Sequence, residues 1–235
     1  MARPPIRWVA LDAMGVVYER GGVTALLADY ACRWGSTTPD DGIKEVYRRA
    51  TEGAFDSAGV WEALGIPGES RDADFLEGRA LMPGVRPFLV AMRSDGIAVG
   101  CITNDVAAWS VRLRRTHRLE HEIAPWVVSA EVGVRKPGAA IYERFLAETA
   151  CEAGECLFVD DLVENLDAAR RLGFRTAWFQ RRLMPASMPA SMPASMPASM
   201  PASMPASMPV GRHPRVGSFD ELGDLVFGQR ATNVG

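Results

Sequence analysis

A chain of 235 residues can bury one α/β core plus a small second unit, and its net charge of −3 and pI near 5.7 give no general attraction to nucleic acid or anionic membrane. Any phosphate binding must come from a local site. No apolar run is long enough to span a bilayer, and the amino-terminal Met-Ala-Arg-Pro-Pro lacks the apolar stretch of a secretory signal, so a cytoplasmic protein is expected.

The first element is the run Ile6 to Leu11, rich in β-branched and aromatic residues, which stops at Asp12 with Gly15 three positions later. It reads as a buried strand delivering a carboxylate to its carboxyl end, where open parallel sheets bind ligands. Val23, Leu26, Leu27, Tyr30, Ala31 and Trp34 then share one helical face. Asp40 and Asp41 are expected to cap a second helix burying Ile43, Val46, Tyr47 and Ala50. Shorter helical pieces around Trp61–Leu64 and Phe75–Leu76 follow. Residues 19–82 therefore read as a small helical unit inserted into a core formed by 1–18 and 83–235.

Pro83-Gly84 marks the return, and Val85–Ser94 reads as a helix ending near Gly96. Strand and helix signals then alternate: strand Ala98–Ile102, strand Trp126–Ser129, a helix opened by Pro137, strand Cys156–Val159, a helix to Leu172 stopped by Gly173, and strand Thr176–Phe179. That alternation predicts an α/β, Rossmann-like parallel sheet with helices on both faces. Residues 184–209 comprise six tandem Met-Pro-Ala-Ser copies and a final Met-Pro; a proline every fourth residue sustains neither helix nor ladder, so a flexible, disordered surface insertion is expected. Ser218 and Glu221 form a capping box for a last helix. The four cysteines, Cys32, Cys101, Cys151 and Cys156, follow no metal or disulfide spacing and read as reduced core thiols.

Four polar points lie just beyond apolar strands: Asp12, Thr103-Asn104, Lys136 and Asp160-Asp161. Adjacent carboxylates at a strand end repel unless a cation neutralises them, and Mg2+ favours carboxylate oxygens. Lysine occurs at only two positions, and one of them, Lys136, precedes Pro137. In order and type these points resemble the four motifs of the haloacid dehalogenase-like (HAD) superfamily, and the helical insert matches, by position and size, a C1-type cap. The resemblance implies that Asp12 is the nucleophile and that Thr103, Asn104 and Lys136 hold phosphoryl oxygens. It also implies that Mg2+ is bound by Asp12, the Met14 backbone carbonyl and Asp161, with Asp160 supporting the metal or Lys136.

Met14 departs from the family's D-x-D-G pattern, removing the acid that protonates the leaving group while keeping the carbonyl. The expectation is a Mg2+-dependent hydrolase of a small phosphorylated metabolite, working through an aspartyl-phosphate and favouring good leaving groups. One alternative is a lapsed enzyme that binds a phosphorylated ligand or a protein partner. Another is a C–P or C–halogen bond hydrolase; Lys44 is the only cap lysine for a Schiff base, and the acidic pair argues against halide chemistry. A monomer or a homodimer is expected. His117-Arg118-Leu119-Glu120-His121 matches a short zinc-peptidase pattern and reads as an exposed helix end, and Arg112, Arg114, Arg115 and Arg118 read as a solvated helix face.

Overall fold

The computed structural model describes residues 4–19, 22–66, 71–181 and 212–231. Six strands form one sheet in the order β3-β2-β1-β4-β5-β6, every neighbouring pair parallel: β1 Trp8–Leu11, β2 Ala98–Thr103, β3 Trp126–Val128, β4 Cys156–Asp160, β5 Arg175–Phe179 and β6 Arg215–Val216. β1 is central, with Leu11 level with Cys101 on one side and Val159 on the other. Successive strand side chains point to opposite faces. Val9, Leu11, Val99, Cys101, Leu157 and Val159 accordingly pack into one layer, and Ala10, Ile102, Cys156 and Phe158 into the other.

The first layer is covered by α5 (Val85–Ser94), α6 (Ala107–Thr116) and α10 (Phe219–Ala231), the second by α8 (Ala139–Thr149) and α9 (Val163–Arg171). Gly100 makes the close approach of α8 possible, because a Cβ there would lie 2.5 Å from the Phe145 ring. A short helix, α7 (Ser129–Val132), takes up Ser129, which the sequence had assigned to a strand.

Between β1 and α5 the described residues form four helices: α1 Val23–Arg33, α2 Asp40–Thr51, α3 Ser57–Ala63 and α4 Asp72–Phe75. Their apolar faces join the first core layer. Buried Asp72 fastens this unit to the core, its carboxylate accepting from Ser57 Oγ (2.7 Å), Trp61 Nε1 (2.9 Å) and Trp109 Nε1 of α6 (2.8 Å). Phe75 and Trp109 pack at 4.8 Å between centroids, an aromatic contact worth about 0.5–1.5 kcal/mol beyond its buried area. Gly53, at φ +79°, backs onto the Ala130 carbonyl, where a Cβ would come within 2.4 Å, and Ser129 Oγ donates to the Thr51 carbonyl at 2.6 Å.

Several local expectations change. α2 begins at Asp40 after Pro39, without a side-chain cap; Asp41 instead pairs with Lys44 at 2.9 Å. α8 begins at Ala139 after Gly138, so Pro137 precedes the helix rather than opening it. Cys32 is exposed, whereas Cys101, Cys151 and Cys156 are buried; all four are free thiols. Ser218 Oγ accepts from the Glu221 amide at 3.2 Å, but the Glu221 carboxylate reaches the Gly217 amide, one residue earlier than a capping box requires. The repeat at 184–209 lies outside the described residues. Among the described residues, no helix is long and apolar enough to cross a membrane.

Candidate active site

Because all strands run the same way, their carboxyl ends share one rim, and the polar points of the sequence meet there. The Asp12 amide donates to the Val159 carbonyl at 2.8 Å, extending the ladder by one residue and setting Asp12 beside Asp160. Gly15, at φ +95°, turns the chain immediately afterwards; the Tyr18 amide donates back to the Ala13 carbonyl, and the Gly15 amide to the Tyr18 carbonyl. This loop brings Met14 to the cavity.

Buried Lys136 is the hub. Its Nζ donates to Asp12 Oδ1 (2.6 Å), Asp160 Oδ2 (2.8 Å) and the Ile102 carbonyl (2.7 Å), so each of its three protons has an acceptor. Burial alone would lower the ammonium's pKa, but Asp12 and Asp160 outweigh it and hold it well above the ordinary lysine range. Asp160 is saturated: Oδ1 accepts from the Leu162 amide (2.8 Å) and Asn165 Nδ2 (3.1 Å), and Oδ2 from Lys136 and again from Asn165 Nδ2 (3.1 Å). Asp161 faces the cavity, and its backbone carbonyl accepts from Trp178 Nε1 at 3.1 Å.

Carboxylate oxygens of Asp12, Asp160 and Asp161 all lie within 4.8 Å of one another. Three carboxylates against one ammonium leave two negative charges, the charge of one divalent cation. The cost of this excess falls on Asp12: burial raises its carboxyl, Lys136 draws it down, Asp160 and Asp161 raise it again, and it rests at about 7. The donor set is entirely hard oxygen, which suits Mg2+.

Thr103 is buried and lines the cavity, and its hydroxyl makes no hydrogen bond within the described residues. It does not cap α6, whose first residue follows Val106; the Asp105 carboxylate accepts the Val106 amide instead, at 2.8 Å. Asn104 lines the same cavity but spends its amide on Lys136: Oδ1 accepts from the Lys136 amide (2.7 Å) and Nδ2 donates to the Lys136 carbonyl (3.0 Å). The cavity, of about 190 Å³, is closed on the helical side by Val23, Thr24 and Tyr47, the Tyr47 hydroxyl donating to the Asn104 carbonyl at 3.2 Å.

The sequence did not single out Asn165, Tyr47 or Arg135 for this site. Only Asn165 left a usable signal, four residues beyond Asp161 in the first turn of α9, where its side chain returns to Asp160. Lys44 is exposed and ion-paired to Asp41. His117 Nε2 donates to the Arg79 carbonyl at 2.7 Å and Glu120 pairs with Arg115, so the short zinc-peptidase pattern forms no cluster; among the described residues only Asp12, Asp160 and Asp161 are grouped to hold a metal.

A buried carboxylate–lysine cluster at the carboxyl rim of a parallel sheet, where α/β proteins bind their ligands, is the arrangement of an α/β enzyme's active site. The model of the haloacid dehalogenase-like hydrolase family matches residues 6–173, and the chain belongs to that family. A phosphoserine phosphatase from Thermus thermophilus is 29% identical over 182 residues, covering 75% of this chain and 66% of the relative. A sesquiterpene phosphatase, astK, from Aspergillus oryzae is 34% identical over 114 residues, covering 47% of this chain and 58% of the relative. The chain thus spans under two thirds of the length of each of these two relatives. A HAD family enzyme from Bacteroides thetaiotaomicron, solved in complex with magnesium and inorganic phosphate, shares the fold at a TM-score of 0.62 and 17% identity, covering 77% of this chain and 98% of that one.

Proposed function

We propose that the protein is a phosphohydrolase acting on small phosphorylated metabolites, with Asp12 as nucleophile. The observation that carries this reading is the meeting of Asp12, Lys136, Asp160 and Asp161 in one buried cluster beneath a small cavity. One Asp12 oxygen attacks phosphorus, the bond to the leaving oxygen breaks with its electron pair going to that oxygen, and an aspartyl-phosphate forms. Water then attacks the same phosphorus, releasing inorganic phosphate and restoring the carboxylate. Lys136 steadies the Asp12 carboxylate and, with its three protons already taken, acts on the transferring oxygens through its charge alone, while the Thr103 hydroxyl donates to one of them.

Asp12, Asp161 and the Met14 carbonyl would hold Mg2+, with Asp160 committed to Lys136 and Asn165. The cation supplies charge neutralisation on a phosphoryl group that would otherwise be repelled. The helical unit of residues 19–82 acts as a cap that walls the cavity through Thr24 and Tyr47.

Met14 brings no acid to the leaving oxygen, so substrates with good leaving groups are preferred; an acid–base partner is worth about 100- to 10,000-fold in rate. The same residue motivates a second reading, a lapsed enzyme that binds a phosphorylated ligand without turnover. Assay of the purified protein with an activated aryl phosphate and Mg2+ separates them. Turnover abolished by Asp12→Asn supports the hydrolase, and equal background in both proteins supports the binder.

A further inference from the structure

We propose that Arg135 selects substrates carrying a second anionic group, a carboxylate or a further phosphate, close to the phosphoryl group; the inference rests on the phosphohydrolase reading. Beside the inner cavity lies a wider hollow of about 780 Å³, and Thr24, Tyr47, Arg135 and Lys136 line both. A substrate whose phosphoryl group sits at Asp12 therefore extends its leaving group past Tyr47 and Arg135.

Among the described residues four cations line the two spaces, and three are committed. Lys136 has three acceptors, Lys44 pairs with Asp41 at 2.9 Å, and Arg48 is held by Glu45 (2.7 Å) and Glu52 (2.6 Å). Arg135, partly buried, makes no ion pair and no side-chain hydrogen bond among the described residues. Its guanidinium stands over the Tyr47 ring, 5.9 Å from the centroid. Arg135 and Tyr47 line the inner cavity together with Asp12, so the guanidinium belongs to the same space as the nucleophile.

A guanidinium presents a planar fork of donors matched to a carboxylate or phosphate, and the aromatic face beneath it limits its freedom. In the outer hollow Glu52 is taken up by Arg48 and Lys44 by Asp41, which leaves Arg135, among the described residues, as the cation open to a second anion. The second anion consequently belongs near Arg135, on a small molecule.

The test uses the full chain with Mg2+ and chromogenic probes sharing one nitrophenol core: 4-nitrophenyl phosphate, its 3-carboxy analogue, and a nitrophenyl bisphosphate to separate a carboxylate from a second phosphate. At least one doubly anionic probe should exceed 4-nitrophenyl phosphate in kcat/KM by about tenfold or more in the wild type. Arg135→Ala should bring that ratio near one, and Arg135→Lys should keep part of it. A wild-type ratio near one, or a ratio that survives Arg135→Ala, overturns the proposal. If no probe is turned over, the phosphohydrolase reading fails separately, and calorimetry with phosphonoacetate against methylphosphonate decides. Phosphonoacetate binding about tenfold tighter in the wild type, with the difference lost in Arg135→Ala, supports the proposal; equal binding, or none, overturns it.

Discussion

Asn104 grips the backbone of Lys136 at two points, accepting from its amide at 2.7 Å and donating to its carbonyl at 3.0 Å across 32 residues of sequence. The ammonium that meets Asp12 is thus placed by a side chain on a different strand's loop. Asn104→Ala should lower kcat for an aryl phosphate by about 100-fold, the loss that a misplacement of about 1 Å brings. The loss should fall mainly on kcat, with KM little changed; an equal loss through KM would show that Asn104 binds substrate rather than positions Lys136.

Asp160 and Asp161 are neighbours with different duties, and their amide variants should separate. Asp160→Asn strips a carboxylate from buried Lys136 and should cost about 3–5 kcal/mol in urea unfolding. Asp161→Asn should leave stability within about 1 kcal/mol while weakening Mg2+ binding by calorimetry about tenfold or more. Matching stability losses in both variants would contradict the division.

The Asp72 carboxylate joins α3 and α4 to α6 through Ser57, Trp61 and Trp109. Each buried donor left without an acceptor costs about 1–3 kcal/mol. Asp72→Ala should therefore destabilise by several kcal/mol, with Asp72→Asn intermediate because it keeps one acceptor oxygen. Equilibrium unfolding followed by tryptophan fluorescence reads both.

Asp105 is buried, and burial, working against the Val106 amide and Arg79, pushes its carboxyl up to about 7. A carboxyl raised above its unfolded value of about 3.9 holds its proton longer in the folded state. Its contribution to stability is complete below about pH 4 and drains as pH rises through about 7. The unfolding free energy of wild type minus that of Asp105→Asn should accordingly fall between about pH 5 and pH 7, by up to about 1.4 kcal/mol per pH unit, and level off above. A flat difference would mean that the carboxyl ionises normally.

Met14 lines the cavity where an acid would serve the leaving group. Met14→Asp should raise turnover of alkyl phosphate monoesters by about 100-fold or more, with less effect on activated aryl phosphates. Absence of any gain in phosphate release would place the block elsewhere in the site.

Much of this arrangement was legible in the linear chain. Strands ending at Asp12, Thr103 and Asp160 had to share a rim once the sheet was parallel, because apolar runs followed by polar residues fix both direction and end. Partnerships were less legible. That Asn104 holds Lys136, or that Asn165 saturates Asp160, depends on loop paths no periodicity encodes. Thr103 and Asn104 stand between a strand and a helix, yet neither caps α6, which starts after Val106 with the Asp105 carboxylate accepting from the Val106 amide. Asp41 looked like a cap because carboxylates favour helix starts, yet α2 begins a residue earlier and leaves Asp41 to Lys44.

β5 and β6 are parallel neighbours whose register is pinned at both ends, the Trp178 amide donating to the Pro214 carbonyl and the Gln180 amide to the Val216 carbonyl, each at 2.8 Å. A parallel crossover needs only about a dozen residues, and the connection between these strands is far longer. Replication slippage could add or delete four-residue units in this stretch without shifting a single strand pairing, so natural variants differing in copy number should keep the same catalytic rim.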